Sequence, residues 1–132
     1  MSDFTKEELD TIWAKGTIAT GYDAADYRLD AAGAMMSRED YGEEGMYGWE
    51  VDHIFPRAKL EELGVDEDLW DKLENLRPMN AKNNASKGDD YPGYTASYRY
   101  NTKTKLNEEI EEGKIVKESV QKRLASLFGL KL

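Results

Sequence analysis

Apolar positions along the chain change period several times, and each change predicts an element. Over residues 2–16, Leu9, Ile12 and Trp13 fall on one side of a 3.6-residue repeat, the pattern of a helix packed on a core. Thr5 and Glu8 have the spacing of a capping box, Phe4 and Leu9 that of the accompanying hydrophobic staple, and Gly16 is a plausible stop. Residues 17–47 lose this period and are punctuated by glycine and aspartate. Tyr27–Leu29 and residues 34–36 are expected as short strands joined around Asp30 and Gly33. The acidic residues here lack the alternation of a calcium loop and read as a solvated face.

From residue 47 the pattern turns to β. Trp49, Val51 and Ile54 predict a strand over residues 47–54, closed by Pro56, which cannot donate to a ladder. Leu60 and Leu63 predict a short helix over 58–64. Leu69, Trp70 and Leu73 predict another over 66–73. Residues 75–79 are extended around Pro78, and residues 80–87 form a helix stopped by Gly88. The four tyrosines of residues 91–100 read first as rings packed over the core and second as platforms for stacked bases. Leu106 and Ile110 predict one helix. Val116, Val120, Leu124, Leu127 and Phe128 predict a second, stopped by Gly129. This gives a C-terminal helical extension over 103–132, suited to packing or to self-association. The whole is expected to be one α+β domain over residues 1–132.

Composition narrows the class. There is no cysteine, so neither a disulfide framework nor a thiolate zinc site is available. No apolar run approaches a membrane span and no signal pattern opens the chain, so a cytoplasmic protein without membrane partners is expected. The net charge of −9 argues against nucleic acid. It is unevenly spread, however. Residues 1–74 hold 7 basic and 20 acidic side chains, residues 75–105 hold 6 and 2, and residues 106–132 hold 5 and 5. The middle segment is a candidate basic face on an acidic body.

The candidate chemistry centres on the one histidine. His53 follows Asp52 in the strand, so the two side chains leave the backbone on opposite sides. Imidazole titrates at about 6.5 when unperturbed, which suits a general base, and a carboxylate suits a hard cation. A buried histidine paired with a carboxylate is the bland reading of such a dipeptide. On the helix of 80–87, Asn80 and Asn84 share a face and Lys87 leans toward it. Asn75 is placed to brace the loop between the two halves.

In combination these residues resemble the HNH endonuclease family. Asp52-His53-Ile54 with Pro56 is similar to the family's Asp-His-Ile-x-Pro strand, and Asn75-Leu76 resembles its central asparagine. Asn84, nine residues on, with Lys87-Gly88-Asp89, is similar to its Asn-x-x-Lys ending. Arg28-Leu29-Asp30 through Gly33, Tyr41-Gly42 and Gly48-Trp49-Glu50 are similar to small bacterial and phage stand-alone members. The resemblance implies a ββα-metal core over 49–89 wrapped by additional helices. It implies metal-dependent hydrolysis of DNA phosphodiester bonds, with His53 as general base and Asn75 holding the loop. One divalent metal, Mg²⁺ or Mn²⁺, would sit on Asp52 and Asn84. Lys87, Arg77, Lys82 and Arg99 would contact the nucleic-acid backbone. Members with a structural zinc carry paired cysteines where this chain has Asn80 and Asn83, so no zinc is expected. Asn83 replaces Asn84 as the ligand if the helix register shifts by one. A catalytically inactive adaptor of the same fold, or an RNA-cleaving nuclease, are the alternatives.

Overall fold

The computed structural model describes residues 4–131, and the fold mixes helices with antiparallel strands. Helix α1 (Lys6–Trp13) starts at Thr5, whose Oγ1 accepts from Glu8 N at 3.1 Å while Thr5 N donates to Glu8 Oε1 at 2.9 Å. That reciprocal cap is the one its sequence spacing predicts. Of the helix predicted over 2–16, residues 2 and 3 lie outside the described residues. Ile12 and Trp13 are buried, and Phe4 and Leu9 pack against the same cluster.

A small sheet follows. Strand β1 (Thr17–Ile18) pairs antiparallel with β2 (Tyr27–Leu29), and β2 with β3 (Met35–Ser37), around the turn at Asp30–Gly33. Both expected short strands are present. Asp30 departs from the expected solvated face and is 3 % exposed.

Strand β4 (Trp49–His53) and strand β5 (Leu76–Asn80) form an antiparallel hairpin, with Asp52 opposite Arg77 and His53 opposite Leu76. Helix α3 (Ala81–Lys87) leaves β5 directly and packs on the hairpin. Between the strands, α2 (Arg57–Glu62) is helical as expected. The second expected helix is instead two 3₁₀ turns, Glu67–Leu69 and Leu73–Asn75. An Asx turn at Asp66, whose carboxylate accepts from Asp68 N, competes with continuous helix there.

The C-terminal extension departs most from expectation. Residues 106–115 are strand, not helix: β6 (Gly93–Asn101) pairs with β7 (Leu106–Ile115) in a long hairpin. From Glu108 to Ile115 every second position is the more exposed one, so a period of two operates where Leu106 and Ile110 suggested four. Only α4 (Glu118–Leu127) is helical, and Gly129 follows it at φ 67°.

Two apolar clusters hold these parts together. One joins Ile12, Trp13, Met36, Trp49 and Leu76, with the rings of Trp13 and Trp49 5.1 Å apart. The larger joins Ile54, Phe55, Leu60, Met79, Tyr94, Leu124 and Phe128. The β4–β5 hairpin contributes to both. The α4 stripe is turned into the larger cluster, so packing uses it. No helix among the described residues is long and apolar enough to cross a membrane.

Candidate active site

Asp52 is held on both carboxylate oxygens. Its side chain is 4 % exposed, with Oδ2 accepting from Arg77 Nε at 2.8 Å and Oδ1 lying 3.3 Å from Lys87 Nζ. Register explains the first contact, since Arg77 is its cross-strand partner. Helix period explains the second, because Lys87 sits in the last turn of α3, over the hairpin. Lys87 also donates to the His53 carbonyl at 3.2 Å. Burial pushes the Lys87 ammonium below its ordinary value, and Arg77 beside it adds to that, while Asp52 opposes both.

Two of the nucleic-acid contacts expected from sequence are therefore corrected. Lys87 has no exposed side-chain surface and Arg77 has 12 %. Lys87 presents no cation at the surface, Arg77 borders a separate cavity, and both hold Asp52. The other two, Lys82 and Arg99, are exposed but paired. Lys82 meets Glu109 at 2.7 Å, and Arg99 meets Glu108 and Glu112 at 3.2 Å each. Lys82 and Arg99 are thus met by carboxylates of β7, which crosses beside them.

His53 points elsewhere. Its Nε2 lies 2.6 Å from Asp71 Oδ1, on the loop between the two 3₁₀ turns. A carboxylate there holds the proton on Nε2 and leaves Nδ1 as the basic nitrogen. Sequence reasoning missed Asp71. It is one of four acidic residues in 66–71, and nothing in the residue order distinguishes it from its neighbours.

Asn75 is fully buried and closes the corner after β4. Its Oδ1 accepts from Phe55 N at 2.8 Å, and its Nδ2 donates to the Phe55 and Trp70 carbonyls at 3.1 Å each. The amide does what the expectation of a loop brace requires. It touches backbone only and does not reach the cleft.

Asn84 faces the hairpin, its Nδ2 3.4 Å from Glu50 Oε2. With the amide nitrogen turned to Glu50, Oδ1 is the atom available to a cation or water. Glu50, two residues before Asp52 on the strand, was not singled out from sequence. Asn83 is committed in the opposite direction. Its Oδ1 accepts from Ser97 N and Tyr98 N, at the irregularity in the β6–β7 register, and its Nδ2 donates to Asp30 Oδ2 and the Tyr98 carbonyl. This network holds the Asn83 amide away from the cleft, and Asn84 is the asparagine that lines it.

Beneath α3 lies Asp30, which the sequence placed only in a turn. Asp30 accepts four hydrogen bonds, from Ala32 N and Ala34 N on Oδ1, and from Asn80 N and Asn83 Nδ2 on Oδ2. Burial pushes its carboxyl above the ordinary range, and the four donors oppose this. Asn80 caps α3 through Lys82 N and reaches back to the Met35 and Met46 carbonyls. The start of the helix is thus anchored to the β2–β3 turn by buried amides.

Asp52, His53 and Asn84 border one cleft of about 150 Å³, with Asp89, Arg57 and Pro56 completing its walls. The donors fit a hard cation of the Mg²⁺ type, which takes oxygen ligands and keeps several waters, so that one or two protein groups suffice. They do not fit a cation that needs a full protein cage. No group of three or more His, Cys, Asp or Glu among the described residues is placed to hold a metal. Arg77 and Lys87 compete electrostatically for Asp52, which lowers its attraction for a cation.

Comparison of the chain with models of known families, with curated proteins and with solved structures returns no match.

Proposed function

We propose that this chain is an HNH-type endonuclease that hydrolyses DNA phosphodiester bonds. The observation that supports this reading best is the shared cleft. An imidazole, a carboxylate and an amide meet there although Asn84 is about thirty residues from His53 in the chain. The strand–strand–helix unit that brings them together also supports a ββα-metal core.

In this reading His53 Nδ1 accepts the proton of the attacking water, while Asp71 holds Nε2–H and stabilises the imidazolium that forms. Asp52 and Asn84 hold one divalent cation, Mg²⁺ or Mn²⁺, which when bound stabilises the charge that develops on the phosphate and leaving oxygen. Arg77 and Lys87 fix the position of Asp52 from opposite sides. Asn75 keeps the corner after His53 from opening.

One observation favours a second reading. Both oxygens of Asp52 carry a cationic partner, an arrangement that also suits a non-catalytic member of the fold acting as an adaptor. A supercoiled plasmid incubated with Mg²⁺ or Mn²⁺ separates the two. The nuclease reading requires nicking that chelation stops and that His53→Ala lowers by about a hundredfold or more, the usual range for losing a general base. Equal nicking by wild type and His53→Ala, or none with either metal, leaves the adaptor reading. Structured RNA in the same assay tests the remaining substrate class.

A further inference from the structure

Hydrolysis of a phosphodiester develops negative charge on the phosphate oxygens, and a fixed cation beside them lowers that cost. The cations expected from sequence in this role are committed elsewhere. Lys87 and Arg77 hold Asp52, Lys82 meets Glu109, and Arg99 meets Glu108 and Glu112. A single Lys or Arg borders the cleft of Asp52, His53 and Asn84, and it is Arg57.

Arg57 opens α2 directly after Pro56. Its side chain is placed without spending its donors. The guanidinium carbon lies 5.9 Å from the centroid of the Trp70 ring, a cation–π contact. Side-chain hydrogen bonds of the described arginines belong to Arg28, Arg38, Arg77 and Arg99; Arg57 makes none. It forms no ion pair among the described residues either. No Arg57 nitrogen is among the buried atoms that lack a partner, so these donors face open space. Trp70 is itself fixed, its Nε1 donating to the Val65 carbonyl at 2.9 Å and its carbonyl accepting from Asn75 Nδ2 at 3.1 Å. The next residue, Asp71, takes His53 Nε2. The insert between β4 and β5 thus orients the histidine and seats an arginine on the same cleft. A guanidinium held by its face keeps its N–H edge for a phosphate, which that fork matches in a bidentate pair.

We propose that Arg57 holds the scissile phosphate in this cleft, an inference that rests on the nuclease reading above. Asp89, the other charged wall residue, opposes an entering anion, so Arg57 supplies the attraction that this chain's own side chains offer there.

The test has two arms. In plasmid nicking with Mg²⁺ or Mn²⁺, Arg57→Gln is expected to lower kcat about a hundredfold with KM little changed, the range for removing one donor to the transition state. Arg57→Lys is expected to recover part of the loss, since it restores the charge but not the fork. Circular dichroism checks that both fold. In the second arm the ¹⁵N-labelled His53→Ala chain is titrated in Mg²⁺ with a short duplex oligonucleotide. A saturable shift of the Arg57 Nε–H signal, assigned by its loss in Arg57→Lys, is expected, and this arm decides alone if Arg57→Gln does not fold. Nicking by Arg57→Gln at the wild-type rate overturns the proposal and leaves the nuclease reading standing. No nicking by the wild type, with the Arg57 shift present, overturns the nuclease reading and keeps Arg57 as the phosphate contact. An Arg57 signal that stays unmoved, whether or not the duplex binds at other residues, overturns the proposal.

Discussion

At the scale of single residues, buried polar groups carry most of the specification. Asp30 satisfies four donors with one carboxylate, so Asp30→Ala leaves four N–H groups buried without an acceptor. An unfolding free energy lowered by about 3 kcal/mol or more is expected in urea denaturation, since each orphaned group costs about 1–3 kcal/mol. Asp30→Asn is expected to rescue little, because its amide NH₂ would face two donors. A loss under 1 kcal/mol in both variants would contradict the hub. Tyr100 gives a second residue-scale expectation. Its phenol is pushed up to about 12, first by the 2.7 Å hydrogen bond with Tyr22 and then by burial. The folded value lies above the ordinary one of about 10, so the fold favours the protonated phenol. The associated stability is present below pH about 10 and is lost as pH rises through about 12. Tyr22→Phe should return the Tyr100 ring carbon titration in NMR toward 10; an unmoved titration would assign the shift elsewhere. Neither role is legible in the sequence: Asp30 was placed only in the β2–β3 turn, and Tyr22 lies 78 positions from Tyr100.

Elements were legible where a local rule decides them. The capping box of α1, the stop of α3 at Gly88 and the turn between β2 and β3 all follow from short-range chemistry, and all are present. Residues 106–115 were not legible as strand, because Leu106 and Ile110 satisfy the helical spacing as well as the strand one and only pairing with β6 decides between them. The bulge there is filled by Asn83, a contact across 14 residues that no periodicity encodes. The placement of Asp52, His53 and Asn84 around one cleft was legible because their order and spacing are local to two elements. Asp71 was not, since its role depends on how the insert folds back over the strand. A substitution belongs at this scale. A Cβ at Gly48 would sit 1.9 Å from the Glu43 carbonyl oxygen, a backbone atom that cannot turn aside. Gly48→Ala is therefore expected to lower stability by about 1–3 kcal/mol and to loosen the entry of β4. Protection of β4 amides from hydrogen exchange is the readout, and unchanged protection would argue against this clash.

Over the whole molecule, charge sets the terms for any polyanion. Lys82 and Arg99 face the glutamates of β7, which offsets their charge where nucleic acid would meet it. Glu109→Gln frees Lys82, and the pair Glu108→Gln and Glu112→Gln frees Arg99. If nucleic acid lies along β6, each change is expected to tighten binding several-fold at low salt and to steepen the salt dependence by about one unit. A salt slope unchanged by all three would place the substrate elsewhere on the surface.

The central claim is that Asp52, His53 and Asn84 act as one site at which a hard cation sits. Titrating Mn²⁺ into the ¹⁵N-labelled chain and following paramagnetic broadening tests it most directly. Early loss of signal from the Asn84 side-chain amide, from residues 51–53 and from residues 88–89 is expected, and Asp52→Asn should abolish it while the fold persists. Broadening scattered over the surface carboxylates with the Asn84 amide untouched, or broadening at Asn84 that survives Asp52→Asn, would contradict the site.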